Sequence, residues 1–279
     1  MKTIQQLIDY YNNFVVEWYN NPDAFIEDKT KNIFSEFYKG GIKLCSENQK
    51  HKHQLIAEAL PEPYLGDPHK CSAVFINLNP GGVLEILQHH SNGEFITKGK
   101  AHLNYYEFAK TFPYQDEKYT DNGGAAWWDL RKAWINRLLS AVRGQSVESE
   151  LEPFAVELCP WHSSGFAGFR QGEQLKAYMK EYVFDFAAQA IENSELGFGI
   201  SVGKAIKTLL IELGFEAIEI KNANVPKKRD NSIINREYCY FKLPNGKLLL
   251  NTWAPGSNKM PSPAWSSFEE KAIKEILTQ

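Results

Sequence analysis

Apolar residues recur at helical spacing from the start of the chain. Ile4, Leu7, Ile8, Tyr11, Phe14, Val15 and Trp18 share one face, and Asn20-Asn21-Pro22 ends the run. Residues 23–60 have a weaker helical pattern, so 1–60 is expected to form a helical N-terminal extension, with a single domain over 61–279. From about residue 61 the period changes. Residues 71–78 (Cys-Ser-Ala-Val-Phe-Ile-Asn-Leu) make a short buried strand running into Asn79-Pro80-Gly81-Gly82. A helix follows, with Trp127, Leu130, Trp134, Leu138 and Val142 as its apolar stripe. Residues 154–159 predict a second strand, 173–192 a long helix and 198–202 a third strand, after which Gly203 opens a helix through Leu213. Further strands are expected at 215–220, 238–243 and 247–251. The last two are joined at Pro244-Asn245-Gly246-Lys247, where Asn-Gly predicts a type I′ turn. A final helix carries Phe268, Ile273, Ile276 and Leu277. Strands alternating with helices predict a mostly parallel sheet covered on both faces, an α/β fold of three layers, α/β/α.

Ligands of such folds bind beyond the carboxyl ends of the strands. Four segments there are rich in Asn, Ser, Gly, Pro and Trp: 79–81, 160–164, 203–204 and 252–258. Composition narrows the function classes. Hydrophobic residues are 43% and charged residues 23%, which excludes a disordered or fibrous chain. No apolar run reaches the roughly 20 residues of a membrane helix, and the amphipathic start is unlike a cleavable signal peptide. A cytoplasmic protein with no membrane partner is expected. Cys45, Cys71, Cys159 and Cys239 form no CxxC pair, so neither a disulfide framework nor a metal centre is expected, and Cys159 reads as a buried thiol. Cys159 with His162, and His89-His90, are isolated ligand pairs without a matching second pair. Gly197-Phe198-Gly199 enters a strand instead of leaving one. Gly203-Lys204-Ala205 lacks the Ser or Thr of a phosphate-binding loop, so no nucleotide site and no cofactor are expected.

The run Ile76-Asn77-Leu78-Asn79-Pro80-Gly81 resembles the first motif of the uracil-DNA glycosylase superfamily, nearest to the Asn-Pro-Gly form of its mismatch-specific branch. The order of later elements is also similar: a strand at 154–159, a strand turning into a helix at Gly203-Lys204-Ala205, and a last strand delivering a Pro/Gly/Ser loop at 253–258 in the place of the second motif. The resemblance covers residues 61–265. It implies a monofunctional DNA glycosylase that flips a base out of double-stranded DNA and hydrolyses its N-glycosidic bond, acting as a monomer. Three positions depart from the family. Asn79 stands where its uracil enzymes with a water-activating aspartate carry that group, Cys159 where they read uracil with asparagine, and Trp253 or Ala254 where they carry histidine. These departures imply either a base other than plain uracil or a reduced catalytic role. Because the family includes enzymes of defence against phages with bulky modified cytosines, the favoured substrate is a modified cytosine such as glucosylated hydroxymethylcytosine. The alternatives are repair of uracil or mismatched thymine, and a module that binds nucleic acid without cleaving it.

The reaction needs a positioned water on one side of the sugar and hydrogen-bond donors toward the departing base. Asn79 can orient that water through its carbonyl. Gly81 and Gly82 N–H groups and His162 can stabilise the base, and His162 can equally be a satisfied loop histidine. Pro80, Gly81, Cys159, Trp161 and Trp253 are the expected base pocket. Gly256, Ser257, Asn258 and Lys259, the Lys227-Lys228-Arg229 cluster and Arg170 are the expected DNA contacts. The net charge of −3 argues against strong non-specific affinity for DNA. Phe95, Tyr105, Phe112 and Tyr114, in the long 82–126 segment, include the candidate ring that stacks on the base, and at least half belong to the core.

Overall fold

The computed structural model describes residues 2–21, 56, 59–82, 104–115, 123–144, 151–163, 173–226, 233–253, 271 and 274–275. They form an α/β protein with one seven-stranded mixed sheet. The strands are β1 (Tyr64–Leu65), β2 (Ala73–Asn77), β3 (Pro153–Glu157), β4 (Gly199–Val202), β5 (Ala217–Pro226), β6 (Ile233–Lys242) and β7 (Leu248–Trp253), in the order β1-β3-β2-β4-β7-β6-β5. Parallel pairing joins β2 to β4 and β4 to β7, whereas β1 pairs with β3, and β6 with both β5 and β7, antiparallel. The expectation of a mostly parallel sheet is therefore corrected to a mixed one. The links from β5 to β6 and from β6 to β7 are too short for a parallel crossover, which needs a dozen residues or more.

The chain makes two compact units, each discontinuous. One comprises residues 1–67, 77–111 and 155–186, the other residues 68–76, 112–154 and 187–279.

In the first unit, helix α1 (Ile4–Asn20) opens with a capping box. The Thr3 hydroxyl accepts from Gln6 N and the Gln6 side chain accepts from Thr3 N, so two otherwise orphaned donors are satisfied. Leu7, Ile8, Tyr11, Phe14, Val15 and Trp18 are buried, as the spacing predicts. Tyr11 stacks on Phe186 and Phe14 packs against Trp161. The expected 173–192 helix, which leaves this unit after residue 186, is present but not uniform. Its α-helical ends, Glu173–Tyr178 and Asp185–Glu192, flank a π-helical stretch, Met179–Phe184.

In the second unit, the helix Gly123–Arg143 buries Trp128, Trp134, Ile135, Leu138 and Leu139, while Trp127, Leu130 and Val142 are exposed. The buried face therefore starts one residue later than the stripe predicted from Trp127. Trp128 wins the inward position because it meets both Phe75 and Phe112 edge-on, and Trp127 instead takes the Arg131 guanidinium over its ring. β4 then leads into the helix Lys204–Glu212 through Gly203, whose φ of +123° suits only glycine. The β6–β7 turn is not type I′. Gly246 N donates to Leu243 O and Gly246 alone of the turn has positive φ, +82°. Pro244 is the first central residue of this Leu243–Gly246 turn, where its fixed φ near −65° suits a type I turn followed by a left-handed glycine, and without an N–H it cannot close the expected two-residue hairpin at Asn245-Gly246. Of the expected final helix, Lys271, Lys274 and Glu275 are described, and all three are helical. Among the described residues no helix is long and apolar enough to cross a membrane.

Candidate functional site

β2 and β3 are apolar until their carboxyl ends, where polar side chains gather within the first unit. Backbone bonds carry the pairing past the strands proper: Leu158 N donates to Asn77 O at 2.9 Å and Cys159 N to Leu78 O at 3.0 Å. The chain then turns at Pro80-Gly81, with Gly81 at φ +88°. No described residue lies within 4 Å of where a Cβ on Gly81 would stand, and the left-handed backbone by itself demands glycine there. Ser163 N donates to Gly81 O at 2.8 Å and ties this turn to the segment after β3.

Asn79 sits in that tie. Its Nδ2 lies 3.3 Å from Trp161 O, 3.3 Å from Ser163 O and 3.1 Å from Ser163 Oγ. Two of these partners are carbonyls, which only accept, so the orientation of the carboxamide is dictated by chemistry. A flipped amide would set oxygen against oxygen. Oδ1 is left without a protein partner among the described residues, on a half-exposed side chain.

His162 is fully buried. Its Nε2 is 3.1 Å from Leu60 O and 3.8 Å from Glu62 Oε1. Burial lowers its pKa to about 4, while the backbone of Gly81, Leu60 and Gly82 opposes this less strongly. The ring is therefore neutral at pH 7, with the proton on Nε2 donated to Leu60, and Nδ1 has no hydrogen-bond partner of good geometry among the described residues. This is the geometry of a loop histidine. As placed, the ring presents no donor to a departing base. The backbone repeats the tie on either side, with Ile56 N donating to His162 O and Glu62 N to Pro160 O, each at 2.9 Å.

Cys159 and Trp161 are fully buried, and burial raises the thiol pKa well above its ordinary value, so Cys159 is the buried neutral thiol its surroundings predict. Pro80 and Gly81 are half-buried. Two residues that sequence reasoning passed over belong to this cluster. Glu157, the last residue of β3, is 5% exposed, and its Oε1 accepts from Asn77 Nδ2 at 2.9 Å. The signal was available in the sequence, because an acid inside the apolar run 154–159 has to be paired if the strand is buried.

In the second unit, Trp253 ends β7 half-buried, with the Lys204 ammonium 5.0 Å from its ring centre. Asn251 donates through Nδ2 to Ser201 Oγ at 3.0 Å and Gly203 O at 3.3 Å. Asn251 Oδ1 and Thr252 Oγ1 are buried without a hydrogen-bond partner among the described residues.

Of the stacking candidates, Tyr105, Phe112 and Tyr114 are buried core residues. Tyr105 OH donates to Tyr64 O at 2.6 Å and Phe112 packs edge-on against Trp128. Phe95, Arg170, Lys227, Lys228, Arg229, Gly256, Ser257, Asn258 and Lys259 lie outside the described residues.

No family model, curated protein or solved structure matches the chain.

Proposed function

We propose that this protein is a DNA glycosylase of three-layer α/β/α architecture, similar to the uracil-DNA glycosylase superfamily, which flips a modified pyrimidine out of double-stranded DNA and hydrolyses its N-glycosidic bond. The favoured substrate is a bulky modified cytosine of phage DNA, such as glucosylated hydroxymethylcytosine. The observation that supports this reading is the anchoring of Asn79. Three acceptors hold its amide nitrogen, and the carbonyl oxygen is the atom left over. A fixed acceptor on a half-exposed loop can orient a water for attack on C1′ without searching rotamers, which is the condition for electrostatic and positional catalysis. The Pro80-Gly81 turn keeps the loop rigid, and Ser163 holds both the turn and the amide.

Recognition of the base falls to groups other than Cys159, whose neutral buried thiol is only a weak donor and acceptor. A substituent at pyrimidine C5, contacted from the long 82–126 segment, fits the loss of the uracil-reading amide.

The test is single-turnover excision from otherwise identical duplexes bearing uracil, a thymine mismatch, 5-hydroxymethylcytosine or its glucosylated form, read as alkali-labile abasic sites. Fastest excision of the glucosylated base is expected. Uracil removed fastest by a wide margin would redirect the substrate to repair. No excision from any duplex, with binding retained, would leave a nucleic-acid-binding module.

A further inference from the structure

The motif at Asn79 supplies an amide and no carboxylate, yet the same unit buries an acid, Glu157, against Asn77, two residues before Asn79 in the chain. Glu157 occupies the end of β3 in a run that is otherwise apolar, and all five residues of that strand are buried. An ionisable group in such a place costs several kcal/mol unless hydrogen bonds hold it. Asn77 provides one at 2.9 Å, and Asn77 is itself fixed, since its carbonyl accepts from Leu158 N.

The other buried acids of this unit are placed differently. Glu62 is 2% exposed and its Oε1 lies 3.8 Å from Nε2 of the buried His162. Asp185 belongs to the 185–192 helix and faces Lys2. Glu157, by contrast, is held by a half-exposed side chain, two residues before the turn that carries Asn79. It also lies close enough to Cys159 for its charge to disfavour a thiolate there.

We propose that Glu157 is the carboxylate of the site, with Asn77 as the positioning residue that holds it. This rests on the glycosylase reading above. As the C1′–N bond breaks, its electron pair leaves with the base and the sugar becomes positively charged. The Glu157 carboxylate stabilises that charge, strongly so because little water screens it. The oxygen of the water oriented by Asn79 bonds to C1′, the proton it sheds passes to Glu157 and then to solvent, and the base takes up one proton from solvent. Orientation and charge are thus divided between an amide and a carboxylate, because an amide can do the first and cannot accept the proton.

The experiment compares two DNA duplexes that mimic the abasic product, one with a neutral tetrahydrofuran and one with a cationic pyrrolidine in place of the sugar. The wild-type protein is expected to bind the cationic duplex about tenfold more tightly or better. Glu157→Gln keeps the size of the side chain and an acceptor for Asn77. It should bind both duplexes alike, lose about 100-fold or more in single-turnover excision, and lose the acid limb of the pH–rate profile in its residual activity. A wild-type preference that survives in a folded Glu157→Gln protein would overturn the role of Glu157 and leave the glycosylase reading standing. Excision by the wild type with no preference for the cationic duplex would likewise overturn it, with no variant needed should the Gln protein fail to fold. A wild type that neither excises nor discriminates would overturn both.

Discussion

At the end of β2, Asn79 gives its amide nitrogen to three acceptors and keeps its unused oxygen on a half-exposed loop. At the end of β7, Asn251 also gives its nitrogen to two acceptors, but its unused oxygen is buried, and so is the neighbouring Thr252 hydroxyl. The donors are satisfied in both places, and the leftover acceptors are treated differently. An exposed acceptor costs little because water satisfies it, whereas a buried one carries a desolvation cost of about 1–3 kcal/mol. The first region is therefore a stiff support on a half-buried side chain, its spare oxygen not among the buried, unpartnered atoms of the described residues. The second leaves two buried acceptors without a donor among the described residues.

The largest expected effect tests the stiff support. Asn79→Ala should lower single-turnover excision about 100-fold or more. It should also destabilise the fold by about 1–2 kcal/mol in denaturant titration, because the Trp161 and Ser163 carbonyls lose their donor. Asn79→Asp sharpens the point. A carboxylate there would face two carbonyls, which raises its folded-state pKa above the unfolded value of about 3.9. Its stability should match the Asn protein best at low pH and fall as pH rises above about 4. A variant equally stable at pH 4 and pH 8, relative to wild type, would break the argument that this loop selects an amide.

His162 gives the next effect. Its native pKa of about 4 lies below the ordinary 6.5, so under acid conditions the unfolded chain takes up a proton that the native ring refuses. Stability should decline as pH falls from about 6.5 to about 4, by about 3 kcal/mol at most from this group, and this contribution should be level below that. His162→Phe should abolish that part of the slope in thermal melts recorded across the range. An unchanged slope would mean that the ring is not buried neutral.

Gly203→Ala should cost about 1–3 kcal/mol in chemical denaturation, since φ of +123° is closed to a residue with a Cβ. The smallest effect is expected at the other side of the comparison. Thr252→Val swaps a buried hydroxyl without a partner among the described residues for a methyl of similar shape, so stability should change by less than about 0.5 kcal/mol or rise. A loss above about 1 kcal/mol in the same titration would show that the β7 end is as well bonded as the β2 end.

The parts of the fold legible in the sequence are those where one face decides. α1, β2, β3, β4 and the helix after Gly203 all stand where apolar spacing puts them. Legibility fails where pairing or a neighbour decides. Residues 221–226, Lys-Asn-Ala-Asn-Val-Pro, show no strand pattern, yet they extend β5 because β6 lies alongside as far as Pro226 with Ile233. Trp127 and Trp128 are indistinguishable by hydrophobicity, and only the rings of Phe75 and Phe112 choose between them. The candidate site divides in the same way. Asn79-Pro80-Gly81 is visible as a motif after a strand. The fate of His162 depends on Leu60 and Glu62, a hundred residues earlier in the chain, and the partnership of Glu157 with Asn77 spans eighty residues.

The discontinuity of the two units bears on the order in which the protein can assemble. The chain passes from one to the other after residues 67, 76, 111, 154 and 186. During synthesis the first unit has all its segments once residue 186 has emerged, while the second still lacks β4 to β7. Segments 68–76 and 112–154 are then loops closed by the first unit, and closing a longer loop adds only logarithmically to the entropic cost. The ends of β2 and β3, which carry the Asn79 cluster, can therefore be tied before the ends of β4 and β7 exist. A ribosome-bound chain stalled only once residue 186 has cleared the exit tunnel, and before β4 has done so, should already protect the backbone amides of Leu158, Cys159 and Ser163 from hydrogen exchange.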